Sequence, residues 1–96
     1  MASYFLAQIN IRDREAYQQY LAGFDEIFDR YQGRVLAVDD SVDVLEGTWE
    51  YGRTVLIEFP DRDKLLAWYG SPEYQRLALL RRRSSDANIA LLSGDR

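Results

Sequence analysis

Ninety-six residues, 47% of them apolar and 14% aromatic, with a formal charge of −4, suit one domain with enough apolar residues to form a core. No cysteine and no histidine occur, which excludes disulfides, thiolate nucleophiles, imidazole bases and the common nitrogen and sulfur metal ligands. The acidic balance argues against nucleic acid, whose binders carry a basic stripe.

The opening MASYFLAQINIRD has neither a basic n-region nor a long apolar run. Neither a signal peptide nor a membrane span is expected, and the expected location is cytoplasmic. Tyr4 to Ile11 is apolar and free of breakers, a first strand. Asp13 stands where it can cap the following helix. On that helix Tyr17, Tyr20, Leu21, Phe24, Ile27, Phe28 and Tyr31 recur at three- and four-residue steps, one amphipathic face. Gly33 is placed to end it at or near C′. Arg34 to Val38 reads as a second strand. Asp39-Asp40-Ser41 makes a turn, and Val42 to Glu46 extends the strand or returns as a hairpin arm. Gly47 to Gly52 is a loop holding Trp49 and Tyr51. Arg53 to Phe59 is a third strand that Pro60 stops. Asp61 caps a short helix carrying Leu65, Leu66, Trp68 and Tyr69, which Gly70 ends. Ser71-Pro72-Glu73 restarts a helix in the order of cap, N1 proline and first-turn acid. Tyr74, Leu77 and Leu80 or Arg81 follow on one face. Asn88 to Leu92 is the fourth strand.

Strand, helix, strand, strand, helix, strand is the ferredoxin-like α+β order, βαββαβ, a four-stranded antiparallel sheet with helices on one face. A single domain over residues 1–96 is expected. Alternate strand residues point to opposite sides. Phe5, Ala7 and Ile9 share a side, as do Val55, Ile57 and Phe59, and these belong under the helices. The opposite side carries Tyr4, Leu6, Gln8, Thr54, Leu56, Glu58, Arg34, Leu36 and Val38. It is too apolar for a face left in water. A second copy of the chain, sheet against sheet, is the economical cover. A domain this short buries only about 60–65% of its unfolded surface, so such self-association would also add stability.

The motifs VLEGTW, the strand ending IEFP, AWYGSPEY and the opening YFLAQI together resemble the family called domain of unknown function 1330, within the dimeric α/β-barrel superfamily. The resemblance runs roughly from Tyr4 to Leu92. It implies a ferredoxin-like subunit, a homodimer whose two sheets form a barrel, and a cleft in each subunit between the sheet and the helices or loops. Superfamily relatives include cofactor-free monooxygenases, muconolactone isomerases and stress-responsive small proteins, so fold analogy constrains the chemistry poorly. Two departures stand out. Asp39-Asp40 replaces the glycine pair that members often carry there, and the histidine some superfamily members use is missing.

Glu58 sits among Val55, Leu56, Ile57 and Phe59, where a charge is costly unless paired or wet. If enclosed, it would serve as a proton acceptor or donor. The plainer alternative is an ion pair with Arg34 or Arg53 that fixes the strands. Arg34 is either that partner or a fork for a carboxylate or enolate. Tyr74 is a candidate hydrogen-bond donor, one turn into a capped helix. Glu46, Trp49, Trp68, Tyr69 and Gln8 are candidate ligand contacts. For Trp68 the competing role is core packing, for Gln8 an interface amide, and for Glu46 a strand-edge or turn residue. Arg81-Arg82-Arg83 complements a helix C-terminus and reads as a solvated face.

No P-loop, G-x-G-x-x-G, H-E-x-x-H or nucleophile elbow occurs, and Asp39, Asp40 and Asp43 lack calcium-loop spacing. No cofactor, metal, nucleic acid or membrane partner is expected; the expected partners are a second copy and a small molecule. The expected function is a dimer that binds a small, partly apolar ligand between sheet and helices. The alternative is a cofactor-independent isomerase, lyase or monooxygenase with Glu58 as proton shuttle, Arg34 as anion stabiliser and Tyr74 as donor.

Overall fold

A computed structural model describes Met1 to Gly94 of the chain. Strand β1 (Ser3–Ile11) leads into helix α1 (Arg14–Phe28), continued by a 3₁₀ turn at Asp29–Tyr31. Strands β2 (Arg34–Asp39) and β3 (Arg53–Phe59) follow, then helices α2 (Arg62–Tyr69) and α3 (Pro72–Ser84), and strand β4 (Ser85–Ser93). The strands form one antiparallel sheet in the order β2-β3-β1-β4, the ferredoxin-like arrangement expected from element order.

Each helix start has the chemistry its sequence announces. The Asp13 carboxylate accepts from the Ala16 N–H, Asp61 from Lys64 and the Ser71 hydroxyl from Tyr74, satisfying donors that would otherwise be orphaned. At the far end of α3, Arg12 closes the account. Its backbone N–H donates to the Ser84 carbonyl, and its guanidinium reaches the carbonyls of Arg82 and Ser85. The last turn of α3 is thereby fastened to the β1–α1 corner.

The core lies between the sheet and the helices. Phe5, Phe24, Phe28, Phe59 and Tyr74 all ring the fully buried Trp68 at centroid distances of 4.3–5.9 Å, within the range where aromatic pairs add to simple burial.

Four local expectations need correction. The left-handed residue after α1 is Gln32 (φ 61°), not Gly33. Gly33 is needed for space instead, because a Cβ there would lie 2.3 Å from the Phe28 ring and 2.9 Å from Phe59. Val42 to Glu46 is irregular and neither extends β2 nor returns as an arm. Strand β4 begins at Ser85, three residues before the expected start. The fourth correction bears on function. Arg34 pairs with Glu58 and Val35 with Ile57, but Ala37 then pairs with Leu56 and Val38 with Val55, so Leu36 is an inserted bulge residue. A one-residue insertion exchanges faces for everything after it. Val38 therefore belongs to the helix side, not to the face of Arg34.

Candidate functional site

The two sides of the sheet carry different chemistry. On the outer side, away from the helices, registers align three rows across the strands. The first is Arg34, Glu58, Tyr4 and Leu92; the second is Ala37, Leu56, Leu6 and Ala90; the third is Asp39, Thr54, Gln8 and Asn88. The middle row is wholly apolar, and the rows beside it supply the polar groups. Glu58 Oε1 accepts from Arg34 Nη2 at 2.9 Å, and the Tyr4 hydroxyl donates to Glu58 Oε2 at 3.4 Å. The segment after β2 folds back over the polar row. There the Trp49 indole donates to the Thr54 hydroxyl at 2.9 Å, and Asn88 donates to Glu50 and Gln8.

The helix side holds a cavity of about 180 Å³ between α1 and the sheet. Its lining takes side chains from all four strands: Val35 and Val38 of β2, Val55 and Ile57 of β3, Ala7 of β1 and Ile89 of β4. Val35 and Val38 remain 43% and 50% exposed, and the exposed Asp25 of α1 borders the same space. The mouth is therefore between α1 and the β2 edge, and the cavity runs beneath the sheet toward β4. The bulge at Leu36 is what turns Val38 into this lining.

The cavity's polar equipment is sparse and consists mainly of Tyr17, Tyr20, Arg53 and Arg81. The charge of Arg53 is paired with Asp40 and its guanidinium lies 5.7 Å from the centroid of the Tyr17 ring, while its Nε–H, like that of Arg81, has no partner among the described residues. The Tyr20 and Tyr74 hydroxyls are hydrogen-bonded at 2.9 Å. Burial pushes the Tyr20 phenol well above its ordinary range, aided by Tyr74. Burial also raises Tyr74, outweighing the hydrogen bond from Tyr20 and the charge of Arg81, which act the other way. Both are neutral hydroxyls at physiological pH.

The residues singled out from sequence are distributed rather than assembled. Glu58, Arg34 and Gln8 lie on the outer side of the sheet, with Trp49 bonded there to Thr54. Tyr74 is fully buried against Trp68 in the core, so the sheet separates it from Glu58 and Arg34. Trp68 packs within the ring cluster, and its indole N–H has no acceptor. Tyr69 borders a polar cleft beside the cavity, with Tyr51, Arg82 and Asp86. Glu46 is exposed on the irregular segment. Tyr17, Tyr20, Arg53 and Arg81, which do line the cavity, were not among the candidates. One signal for Arg81 was present: it follows Tyr74 by seven residues and Ala78 by three, the spacing of a buried helical face. Its neighbours Arg82 and Arg83 are exposed while Arg81 is buried, so the arginine run is not a uniform solvated face.

This architecture, a four-stranded antiparallel sheet with its helices on one side, defines a ferredoxin-like α+β protein. The chain matches the family described as Domain of unknown function (DUF1330) over residues 2–95 and belongs to it. No curated protein matches it. Among solved structures, a protein of unknown function from Rhodopseudomonas palustris is similar with a TM-score of 0.78 at 17% identity, covering 99% of this chain and 83% of that one. A dimeric ferredoxin-like protein of unknown function from Jannaschia sp. CCS1 has a TM-score of 0.69 at 17% identity, covering 98% and 100%. SnoaB, a cofactor-independent oxygenase from Streptomyces nogalater, has a TM-score of 0.67 at 15% identity, covering 99% and 94%. At these identities the likeness speaks to the fold. Among the described residues, no helix is long and apolar enough to cross a membrane.

Proposed function

We propose that the protein is a homodimer, joined through the outer sheet face, whose subunits each bind a small, partly apolar molecule between α1 and the sheet. The observation that carries the ligand reading is the apolar cavity itself. It is open at one edge, lined from all four strands, and larger than the roughly 150 Å³ void that admits benzene in an engineered core. The dimer reading rests on the uninterrupted apolar row Ala37, Leu56, Leu6 and Ala90, and the dimeric Jannaschia protein of the same fold is in keeping with it.

Native mass spectrometry of gently purified protein tests both parts. The expected result is a dimer carrying a reproducible small-molecule mass, with that mass lost and the dimer kept in Val55→Trp, which fills the cavity. A monomer at micromolar concentration would remove the dimer. Protein that carries no small molecule, and whose cavity amides do not respond to a panel of single-ring aromatics, would remove the ligand site.

A second reading is cofactor-independent turnover with Glu58 as proton shuttle and Arg34 as its anion-stabilising partner. It is favoured by one observation: Glu58, only 27% exposed, is held by Arg34 and the Tyr4 hydroxyl on the face that a partner subunit would enclose. Tyr74, on the other side of the sheet, would take no part in that step. Its part is to hold Tyr20 in place at the cavity wall.

A further inference from the structure

Among the described residues, three arginines pair with a carboxylate: Arg12 with Asp86, Arg34 with Glu58 and Arg53 with Asp40. Arg81 has no such pair. It is only 4% exposed, more deeply buried than any of the three. Among the described residues no carboxylate lies within ion-pair distance of it, and its Nε–H donates to no acceptor. The groups beside it are the neutral phenols of Tyr74 and Tyr20. Carbonyls in the last turn of α3 favour a cation there, but Arg12 and the Ser84 and Ser85 hydroxyls already engage several of them. A guanidinium enclosed without an anion is costly, and the cost is relieved by a partner that brings the missing charge.

The position of Arg81 indicates where that partner comes from. Arg81 and Ile89 line both the apolar cavity and the polar cleft of about 460 Å³ that holds Tyr51, Tyr69, Arg82 and Asp86. The guanidinium thus stands at the inner, β4 end of the cavity, opposite the mouth at β2. A molecule entering at β2 would bury an apolar body against Val55, Ile57 and Phe24 and present its far end to Arg81.

We propose that the cavity's occupant is a small amphiphile of about one ring whose carboxylate is received by Arg81. This rests on the ligand-site reading above. The vacant Nε–H edge suits a carboxylate, because Nε and one Nη form a planar fork that meets two oxygens in parallel. The cavity volume suits one ring with a short substituent. The apolar lining excludes a highly hydroxylated or multiply charged ligand.

The test compares 4-methylbenzoate with its neutral isostere 4-methylbenzamide at pH 7, followed by amide chemical shifts of the folded dimer. Both probes are expected to move the Leu21 and Ile89 amides, with the acid binding about tenfold more tightly or better, as a charge-assisted pair implies. In Arg81→Gln the preference is expected to fall to within about twofold, and Arg81→Lys to keep part of it, as a point charge without the fork would. Arg53→Gln should leave the preference intact, since Asp40 already answers that charge. Equal affinity for acid and amide in the wild-type protein, or a preference that survives Arg81→Gln, overturns the assignment while leaving the cavity as a ligand site. No response of the cavity amides to either probe overturns the ligand site itself. Should Arg81→Gln fail to fold, the wild-type ratio and Arg81→Lys still decide the matter: a lysine variant that prefers the acid as strongly as wild type removes the fork.

Discussion

The two sides of one sheet, built from alternating residues of the same four strands, differ in form. The helix side is closed over its rings at one end and left hollow at the other. Phe59, Trp68 and Tyr74 are fully excluded from water, whereas Val35 and Val38 at the β2 edge remain exposed beside a void. On the outer side, among the described residues, Trp49 and Glu50 fold back over part of the face. Its apolar row is flat and continuous. A hollow suits something small, and a flat apolar row suits something as large as another sheet. If each side holds the partner proposed for it, a change on one side should leave the other partner's binding intact.

The largest expected effect comes from the packed end of the helix side. Trp68→Ala removes the ring that the surrounding aromatics enclose and should destabilise the fold by about 3–5 kcal/mol. The denaturation midpoint would fall with an unchanged slope. A loss below about 1 kcal/mol would mean that the ring cluster is not the keystone of this side. Next in size is Leu56→Arg in the middle of the outer row. A charge placed at the centre of a sheet-to-sheet interface should weaken the dimer by about 2 kcal/mol or more, read as a monomer by light scattering with native circular dichroism. Binding of a small aromatic in the cavity should survive. Dimer retention would show that the two sheets do not meet through this row.

How much of this could be read from the chain depends on the range of the signal. Helix caps at Asp13, Asp61 and Ser71 are local chemistry, each complete within four residues, and all three stand in the structure. The order of elements and the inward set Phe5, Ala7, Ile9, Val55, Ile57 and Phe59 follow from periodicity, and all of that set but the half-buried Val55 are buried. The bulge at Leu36 was not, because nothing in RVLAVD distinguishes a regular strand from one with an extra residue; the partner strand decides it. That one slip moved Val38 across the sheet and hid a wall of the cavity. The cavity itself is a deficit of packing shared among strands and helices, and no single segment records a deficit. The acids and aromatics that looked most chemical in sequence, Glu58, Trp49 and Trp68, therefore fell on the outer face or in the core. Arg81 was concealed by its neighbours, since a run of three arginines reads as solvated unless its helical phase is followed.

A smaller effect should separate the hollow side from the flat one by pH. Tyr20 and Tyr74 have raised phenol values because burial disfavours their charged forms, Tyr20 well above the ordinary 10.0. The folded protein then keeps protons that the unfolded chain releases once pH exceeds about 10. Stability from these groups is complete below that point and is lost as pH rises through it toward the folded-state values. The expected observation is an alkaline decline in melting temperature that is shallower in Tyr20→Phe. The same decline in Tyr20→Phe would assign the loss to other groups. Leu56→Arg should leave the decline unchanged, since the outer face holds neither phenol.

The variant with the smallest effect on the single subunit is the most discriminating. The Arg34–Glu58 pair is exposed by 72% and 27% in the single subunit, and a pair so placed contributes about 0–1 kcal/mol. In a dimer joined through this face the same pair would lose its water, and breaking it would leave an uncompensated buried charge, worth about 3–5 kcal/mol. Glu58→Gln should therefore hardly affect stability at concentrations where the protein is monomeric, and should weaken association itself. Melting followed across a range of protein concentrations reads the two regimes from one variant. A uniform small loss at all concentrations would put Glu58 outside the interface, on the solvated rim of the sheet. If a turnover substrate is found, the same variant separates the two roles when assayed at concentrations where it is still dimeric: a lost rate there marks proton transfer, and an unchanged rate leaves Glu58 as a strand-fixing acid.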